Sequence, residues 1–252
     1  MRRRIRATAA KNADVKRFAL LLLPAFVACS PQPAPYASTI GVLHPGATMT
    51  VRISHGVLNA FKPAEGDPSD RFTVVPSARA NTTPPPAPRV RPNGSGITVD
   101  APDELANLLV RVPEGVNLDV HSSSGNVNVT DISGNVNVAA GTGDVKIMIT
   151  GYAQASAVDG SINATIGASS WPGTLRFTTQ NGDITVYVLA TTAFHVRMHT
   201  DDGTLFTDFG LTGTSHGNNE TIDADVNNGQ AFGLDLESKH GTVRLLRLTP
   251  QA

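Results

Sequence analysis

The sequence is poor in the residues that mark several common classes of protein. Only 16% of its 252 residues are charged and 5% are aromatic, and Cys29 is its single cysteine. One cysteine cannot form an internal disulfide, so the stability of the fold must come from its core and its hydrogen-bond ladders. The apolar run at residues 18–28 is too short for a membrane-spanning helix, which needs about 20 residues.

Charge is distributed unevenly along the chain. Residues 1–17 carry seven of the 20 basic residues and one of the 21 acidic residues, so the rest of the chain is acidic. An acidic body argues against nucleic acid as a partner. A basic segment followed by a short apolar stretch is typical of a secretory signal, and we therefore predict a signal peptide at residues 1–28.

Cys29 directly follows this apolar stretch. The sequence Phe26-Val-Ala-Cys29 resembles the bacterial lipobox, which implies a lipid on Cys29 and attachment of the chain to a membrane. Residues 29–37 contain alternating prolines, which favour an extended conformation, so we predict a tether there. The alternative is an ordinary cleaved signal with an incidental cysteine. In both cases we expect the protein to lie outside the cytoplasm. If Cys29 is lipidated, we expect the protein to be anchored at the bacterial cell envelope.

The rest of the chain predicts one β-repeat domain over residues 38–252. Met49–Ile53 and Arg71–Val75 alternate apolar and polar residues, as strands with one buried face do. Fourteen of the 17 prolines lie between residues 31 and 113. Because prolines cannot donate to a strand ladder, we interpret residues 76–96 as an exposed proline-rich loop within the domain.

A short unit, glycine-polar-apolar-polar-apolar, recurs along the chain. Three nine-residue blocks that begin at Ser124, Ser133 and Thr142 repeat it in register. Glycine can adopt the positive φ that a tight turn requires, and the alternation after it directs apolar side chains to one face. We assign structural turns to the glycines of the unit, which are Gly56, Gly125, Gly134, Gly143, Gly160, Gly182, Gly203 and Gly241.

The spacing of these glycines predicts a β-solenoid. From Gly125 onward the intervals are 9, 9, 17, 22, 21 and 38 residues, which fit coils of about 18 to 22 residues with two units in each coil. We therefore predict an all-β parallel solenoid with polar ladders outside and valine and isoleucine stacks inside. Short strands with turn signals every 8 to 12 residues also fit an antiparallel β-sandwich or meander, which stays open as the alternative.

The stretch from Leu109 to Val129 resembles a known family. Its segment Leu109-Val-Arg-Val-Pro-Glu-Gly115, followed by the Ser-Gly-Asn-Val repeats, is similar to bacterial β-repeat proteins that carry an adhesin label and form a group of domains of unknown function. The likeness extends from about Met49 to Leu248. It implies a β-solenoid of the cell envelope and little about mechanism.

Metal sites are not favoured by the sequence. The glycine repeats lack the repeated carboxylates that calcium-binding nonapeptides provide. His195 and His199 would lie about 13 Å apart on a strand and could not share an ion. We therefore predict no metal and no cofactor, and we interpret His195, Arg197 and His199 as an exposed stripe opposite three buried residues, Phe194, Val196 and Met198.

Asp223 and Asp225 are the candidates for catalysis. On a strand they share one face about 7 Å apart, which lies within the carboxylate separation of inverting glycosidases. Alternation of these residues with Ile222, Ala224 and Val226 also describes an ordinary solvated strand face, and we predict that the protein is not an enzyme.

The sequence therefore favours a membrane-tethered binding or structural solenoid with an unknown protein or polysaccharide ligand at the envelope. One alternative is a polysaccharide-active β-helix enzyme that uses the two aspartates. The other is an accessory protein of an envelope-stress sensing system.

Overall fold

A computed structural model describes residues 38–77, 86–101, 103, 107–229 and 231–248. All of them belong to one compact unit, residues 34–252. The predicted signal peptide at residues 1–28, the lipidation site Cys29 and the tether at residues 29–37 lie outside the described residues.

The described residues form 21 β-strands, and no helix occurs among them. In chain order the strands are β1 (Thr39–Val42), β2 (Thr48–Ile53), β3 (Val57–Phe61), β4 (Arg71–Ser77), β5 (Arg89–Asn93), β6 (Gly96–Asp100), β7 (Asn107–Arg111), β8 (Asn117–Ser124), β9 (Val127–Ile132), β10 (Val136–Thr142), β11 (Val145–Ile149), β12 (Ala153–Asp159), β13 (Ile162–Ile166), β14 (Thr174–Asn181), β15 (Ile184–Leu189), β16 (Phe194–Asp202), β17 (Leu205–Thr207), β18 (Thr214–His216), β19 (Asn219–Val226), β20 (Gly233–His240) and β21 (Val243–Leu248).

These strands build two sheets that share one core. The ten-strand sheet has the order β1-β4-β7-β3-β9-β11-β13-β15-β21-β17, and the eleven-strand sheet has the order β18-β19-β16-β20-β14-β12-β10-β8-β2-β6-β5. Each coil gives one strand to each sheet, and adjacent coils pair in parallel, as β8 does with β10 and β9 does with β11. The predicted parallel solenoid is confirmed, and the antiparallel sandwich is wrong.

The order of coils in space departs from the order in sequence at both ends. Eight coils follow one another as β6–β7, β2–β3, β8–β9, β10–β11, β12–β13, β14–β15, β20–β21 and β16–β17. The last coil of the sequence is thus inserted beside the end coil. Antiparallel strands extend both ends, with β1, β4 and β5 at one end and β18 and β19 at the other.

The core consists of the apolar residues of the strands that precede and follow the repeated turns. Valine, isoleucine and leucine side chains two and four residues after the glycines are buried, as Val127 and Val129 show, except that Leu205 at the end of the stack is partly buried. On the outside of the same strands the Asn128 amide donates to Asn59 Oδ1 over 3.0 Å. The predicted arrangement, with apolar stacks inside and polar side chains paired in register outside, is confirmed.

The loop predicted at residues 76–96 is shorter than expected. Pro76 is part of β4, and Arg89–Asn93 forms β5, which pairs with β6 in an antiparallel hairpin. Pro92 fits there because β5 is the edge strand of its sheet, where one side of the strand needs no partner for its N–H groups. Residues 78–85 lie outside the described part of the chain.

Candidate functional site

Seven of the turn glycines stack along one edge of the solenoid. Their order in space is Gly56, Gly125, Gly143, Gly160, Gly182, Gly241 and Gly203, and Gly134 lies at the opposite edge. A Cβ atom added to Gly160 would lie 2.0 Å from the carbonyl oxygen of Gly143, which is far inside van der Waals contact. Glycine is therefore required at this edge because the backbones of adjacent coils approach each other closely.

The carbonyl groups of this glycine edge are satisfied by buried hydroxyls from the next coil. Thr179 donates to the Gly160 oxygen over 2.9 Å, and Ser238 donates to the Gly182 oxygen over 2.8 Å. Both hydroxyl residues are buried in the core. These two carbonyl groups of the edge are thus used within the fold.

Eight charged or titratable side chains form a charged face on the outside of the eleven-strand sheet. They lie on four neighbouring strands, β14, β20, β16 and β19. We define this charged face as Arg176, His195, Arg197, His199, Asp223, Asp225, Asp235 and Glu237.

One row of the charged face alternates in sign across four strands. Arg176 on β14, Asp235 on β20, Arg197 on β16 and Asp223 on β19 are neighbours in register. Arg176 Nη2 lies 3.2 Å from Asp235 Oδ2, and Arg197 Nε lies 3.3 Å from Asp223 Oδ2. Opposite charges on directly paired strand positions stabilise the sheet by about 0.2–1 kcal/mol for each pair.

His195 lies between the two carboxylates that the sequence marked for catalysis. Its Nε2 atom lies 3.1 Å from Asp223 Oδ1, and its Nδ1 atom lies 2.8 Å from Asp225 Oδ1. The antiparallel register of β16 and β19 places Asp225 opposite His195 and Asp223 opposite Arg197. Both carboxylates are therefore engaged in contacts that hold β19 against the end coil.

The two histidines of β16 have separate partners. His199 contacts Thr221 Oγ1 over 3.1 Å and Asp201 Oδ1 over 2.9 Å. Phe194, Val196 and Met198 on the other face of the strand are fully buried, which confirms the predicted direction of these side chains. Within the described part of the chain, no group of three or more His, Cys, Asp or Glu side chains has the arrangement of a metal site.

A shallow groove crosses the charged face. Its volume is about 270 Å³, and its lining includes Thr178 and Leu236 in addition to Arg176, Arg197, His199, Asp235 and Glu237. The groove offers both hydrogen-bond donors and acceptors to a ligand.

The sequence reasoning missed the contribution of β14 and β20 to this face. A count from the turn glycines would have found it, because Arg176, Arg197 and Asp235 each precede their glycine by six residues.

Trp171, the single tryptophan, is not on a binding surface. It is 2% exposed, and its indole N–H donates to the carbonyl oxygen of Gly233 over 2.9 Å. Its ring centroid lies 5.6 Å from that of Phe194 and 5.9 Å from that of Phe232. The indole thus belongs to the core and cannot stack on a sugar.

One carboxylate at the glycine edge has a shifted pKa. Burial alone would raise the pKa of Asp183, but a hydrogen bond from Arg244, a second from the Thr242 N–H and the charge of Arg244 together lower it. The Arg244 Nη1 atom lies 2.9 Å from Asp183 Oδ2. Asp183 is therefore a charged structural residue between neighbouring coils.

Comparison with protein families identifies the repeat. The family model described as Toastrack DUF4097 matches residues 107–246, which span β7 to β21 and more than half of the chain. The chain belongs to the Toastrack DUF4097 family. The match includes the charged face, whereas β1 to β6 precede it. No curated protein matches the chain.

One solved structure shares the fold of this Toastrack chain at a TM-score of 0.50, and a second is similar at a lower score. A candidate cell adhesion protein from Clostridium sporogenes is 11% identical with a TM-score of 0.50, and the alignment covers 84% of this chain and 99% of the other. A candidate adhesin from Bacteroides fragilis is 11% identical with a TM-score of 0.36 over 86% and 98% of the two chains. At these identities the likeness concerns the fold alone. Within the described residues, no helix is long and apolar enough to span a membrane.

Proposed function

We propose that this Toastrack protein is a non-catalytic binding protein of the bacterial cell envelope, exported by the signal at residues 1–28 and tethered through a lipid on Cys29. The observation that carries this proposal is the long stack of eight parallel coils, which presents two continuous outer faces ordered in rows. Such faces suit an extended ligand better than a small molecule, because a small molecule usually needs a concave, mostly apolar pocket.

The geometry around Asp223 and Asp225 supports binding over glycan hydrolysis. A general acid must keep its proton near neutral pH, and enzymes achieve this by burying the carboxyl group or placing a like charge beside it. Asp223 instead contacts Arg197 and His195, and its side chain is half exposed. These contacts place both carboxylates in a surface network that joins β19 to β16.

The tether is tested by fractionation of bacteria that express the full chain. We expect the protein in the membrane fraction, released by detergent and not by high salt, because the acyl chains of a lipidated cysteine hold it by apolar burial and not by charge. Cys29→Ser removes the lipidation site and should move the protein to the soluble extracytoplasmic fraction. Ser30→Ala is the matched control and should leave the protein with the membrane.

Two results would contradict parts of the proposal. Recovery of the full chain from the cytoplasm would overturn export and the envelope role together. Membrane retention that is unchanged in Cys29→Ser would overturn the lipid tether and leave export standing.

A further inference from the structure

The outer face of the ten-strand sheet carries a row of large apolar side chains. Phe61 on β3, Met148 on β11 and Tyr187 on β15 lie in one register row, with Thr130 and Thr165 on the strands between them. Leu246 on β21 continues the row beside Tyr187. Met148 is 40% exposed, and the two aromatic residues are half-buried. We call these three large residues the apolar row. Each of them lies five residues after a turn glycine, which is why the coils superpose them.

The spacing of the apolar row is fixed by the sheet. Adjacent strands lie about 4.8 Å apart, so from Phe61 to Tyr187 the large side chains recur every second strand, at about 9.6 Å. Leu246 adds an apolar side chain one strand beyond Tyr187. The line from Phe61 to Tyr187 contains two such intervals and runs along the solenoid axis, perpendicular to the strands. A ligand that contacts the whole row must repeat its own apolar surface at this distance.

A polar row runs beside the apolar row. Asn59, Asn128, Lys146 and Asn163 occupy the register row two residues nearer the turn glycines. Asn128 already donates to Asn59, and each amide keeps further donor and acceptor capacity. The face thus combines flat apolar contacts at a regular interval with groups that hydrogen-bond hydroxyls.

We propose that the apolar row and the polar row bind an extended β-1,4-linked glycan that lies along the solenoid axis. In such a glycan, equivalent ring faces recur once per disaccharide, at a distance close to two strand spacings. Sugar rings stack on Phe61 and Tyr187 and contact Met148, while hydroxyl or acetamido groups bond to the asparagines. This inference rests on the proposed binding function and adds the face and the ligand class.

Two kinds of peptide fit the row less well. An extended β-strand repeats every two residues, at about 6.8 Å, and loses register with the apolar row within one interval. A polyproline II peptide repeats every three residues at about 9.3 Å, but such peptides dock in aromatic-lined grooves. The sheet face here is flat, and its polar row runs parallel to the apolar one.

The test is sedimentation of the detergent-solubilised full chain with insoluble polymers. Microcrystalline cellulose, chitin and purified peptidoglycan sacculi supply β-1,4 linkages, and insoluble starch supplies α-1,4 linkages as the matched negative polymer. We expect binding to at least one β-1,4 polymer and none to starch. Tyr187→Ala and Phe61→Ala should each weaken binding about tenfold because each removes one stacking surface.

Control variants separate binding from folding. Tyr187→Phe keeps the ring and should bind nearly as the parent does. Asn137→Ala on β10 alters the outer face of the opposite sheet, outside the charged face, and should leave glycan binding unchanged. Circular dichroism spectra of all variants show whether the solenoid is intact.

Four outcomes decide whether the apolar row binds a β-1,4-linked glycan. Binding to a β-1,4 polymer that depends on Phe61 and Tyr187 supports the inference. Absence of binding to all three β-1,4 polymers overturns it, and if membrane retention persists the proposed function stands. Equal binding by the alanine variants places the ligand elsewhere and also overturns it. Binding of a polyproline peptide that depends on these residues, without glycan binding, assigns the row to peptides and overturns it as well.

Discussion

Replacement of Gly134 by alanine tests whether close contact between coils requires glycine. Gly134 does not adopt a positive φ, so alanine brings no conformational strain at this position. A Cβ atom there would lie 2.1 Å from the carbonyl oxygen of Val116, whereas real contacts essentially never fall below 3.0 Å. The two coils must therefore separate by about 1 Å at this edge.

The cost follows from the hydrogen bonds at the same edge. Leu118 N donates to the Asn135 oxygen over 2.8 Å, and Asn135 N donates to Asn117 Oδ1 over 3.0 Å. A separation of about 1 Å stretches both beyond hydrogen-bond range, at about 1 kcal/mol each. With some loss of core packing, we expect Gly134→Ala to lower the free energy of unfolding by about 2–4 kcal/mol.

Gly173→Ala is the matched control because Gly173 has a positive φ and no close contact, whereas Gly134 has a close contact and no positive φ. Gly173 has a φ of 70°, and an added Cβ would meet nothing within 4 Å. Alanine there should cost about 1–2 kcal/mol from backbone strain alone.

For a chain of this size, 1 kcal/mol shifts Tm by about 2–4 °C. Thermal melts followed by circular dichroism should therefore show a clearly larger fall in Tm for Gly134→Ala. A fall equal to or smaller than that of Gly173→Ala would refute the contact argument.

Three further substitutions probe the edge and the end of the stack. Thr179→Val leaves the Gly160 oxygen without its buried donor and should cost about 1–3 kcal/mol in urea denaturation. The pKa of Asp183 is lowered in the fold, so its charged form stabilises the fold at pH values above the unfolded-state pKa. This stability is lost as the pH falls through the folded-state pKa. Asp183→Asn should therefore reduce the loss of stability in acid, measured as urea midpoints across pH. Glu220 accepts from Leu205 N on the edge strand β17 over 2.7 Å, so Glu220→Ala should free this edge and promote self-association in sedimentation-velocity runs.

The repeat was predictable because one local pattern specifies both the turn and the direction of the side chains. Where Gly125 is followed by Asn, Val, Asn and Val, the alternation decides that Val127 and Val129 enter the core. The same pattern gives parallel stacking, since a regular interval of two units per coil brings like strands together. A count from each glycine would also have located Phe61, Met148 and Tyr187 on one row, but the alternation alone does not reveal it.

The order of coils at the ends was not predictable from this pattern. The interval of 38 positions from Gly203 to Gly241 fits several regular units, yet it holds β18 and β19, which pair antiparallel with the end coil or with each other. A unit that is nearly the same in every coil carries no information about which coil lies beside it. The partners of Asp223 and Asp225 were missed for the same reason, because they depend on β19 folding back onto β16.

Insertion of the last coil limits the length of the two outer faces. Strands β20 and β21 lie between β14–β15 and β16–β17, so the chain returns into the stack after it has built the end. At the other end the chain leaves β3, forms the outermost coil β6–β7 and returns beside β2–β3 as β8–β9. At neither end of the stack does the chain continue directly into a further coil. The length of both outer faces is thus fixed by topology, and with it the number of repeats of an extended ligand that they can contact.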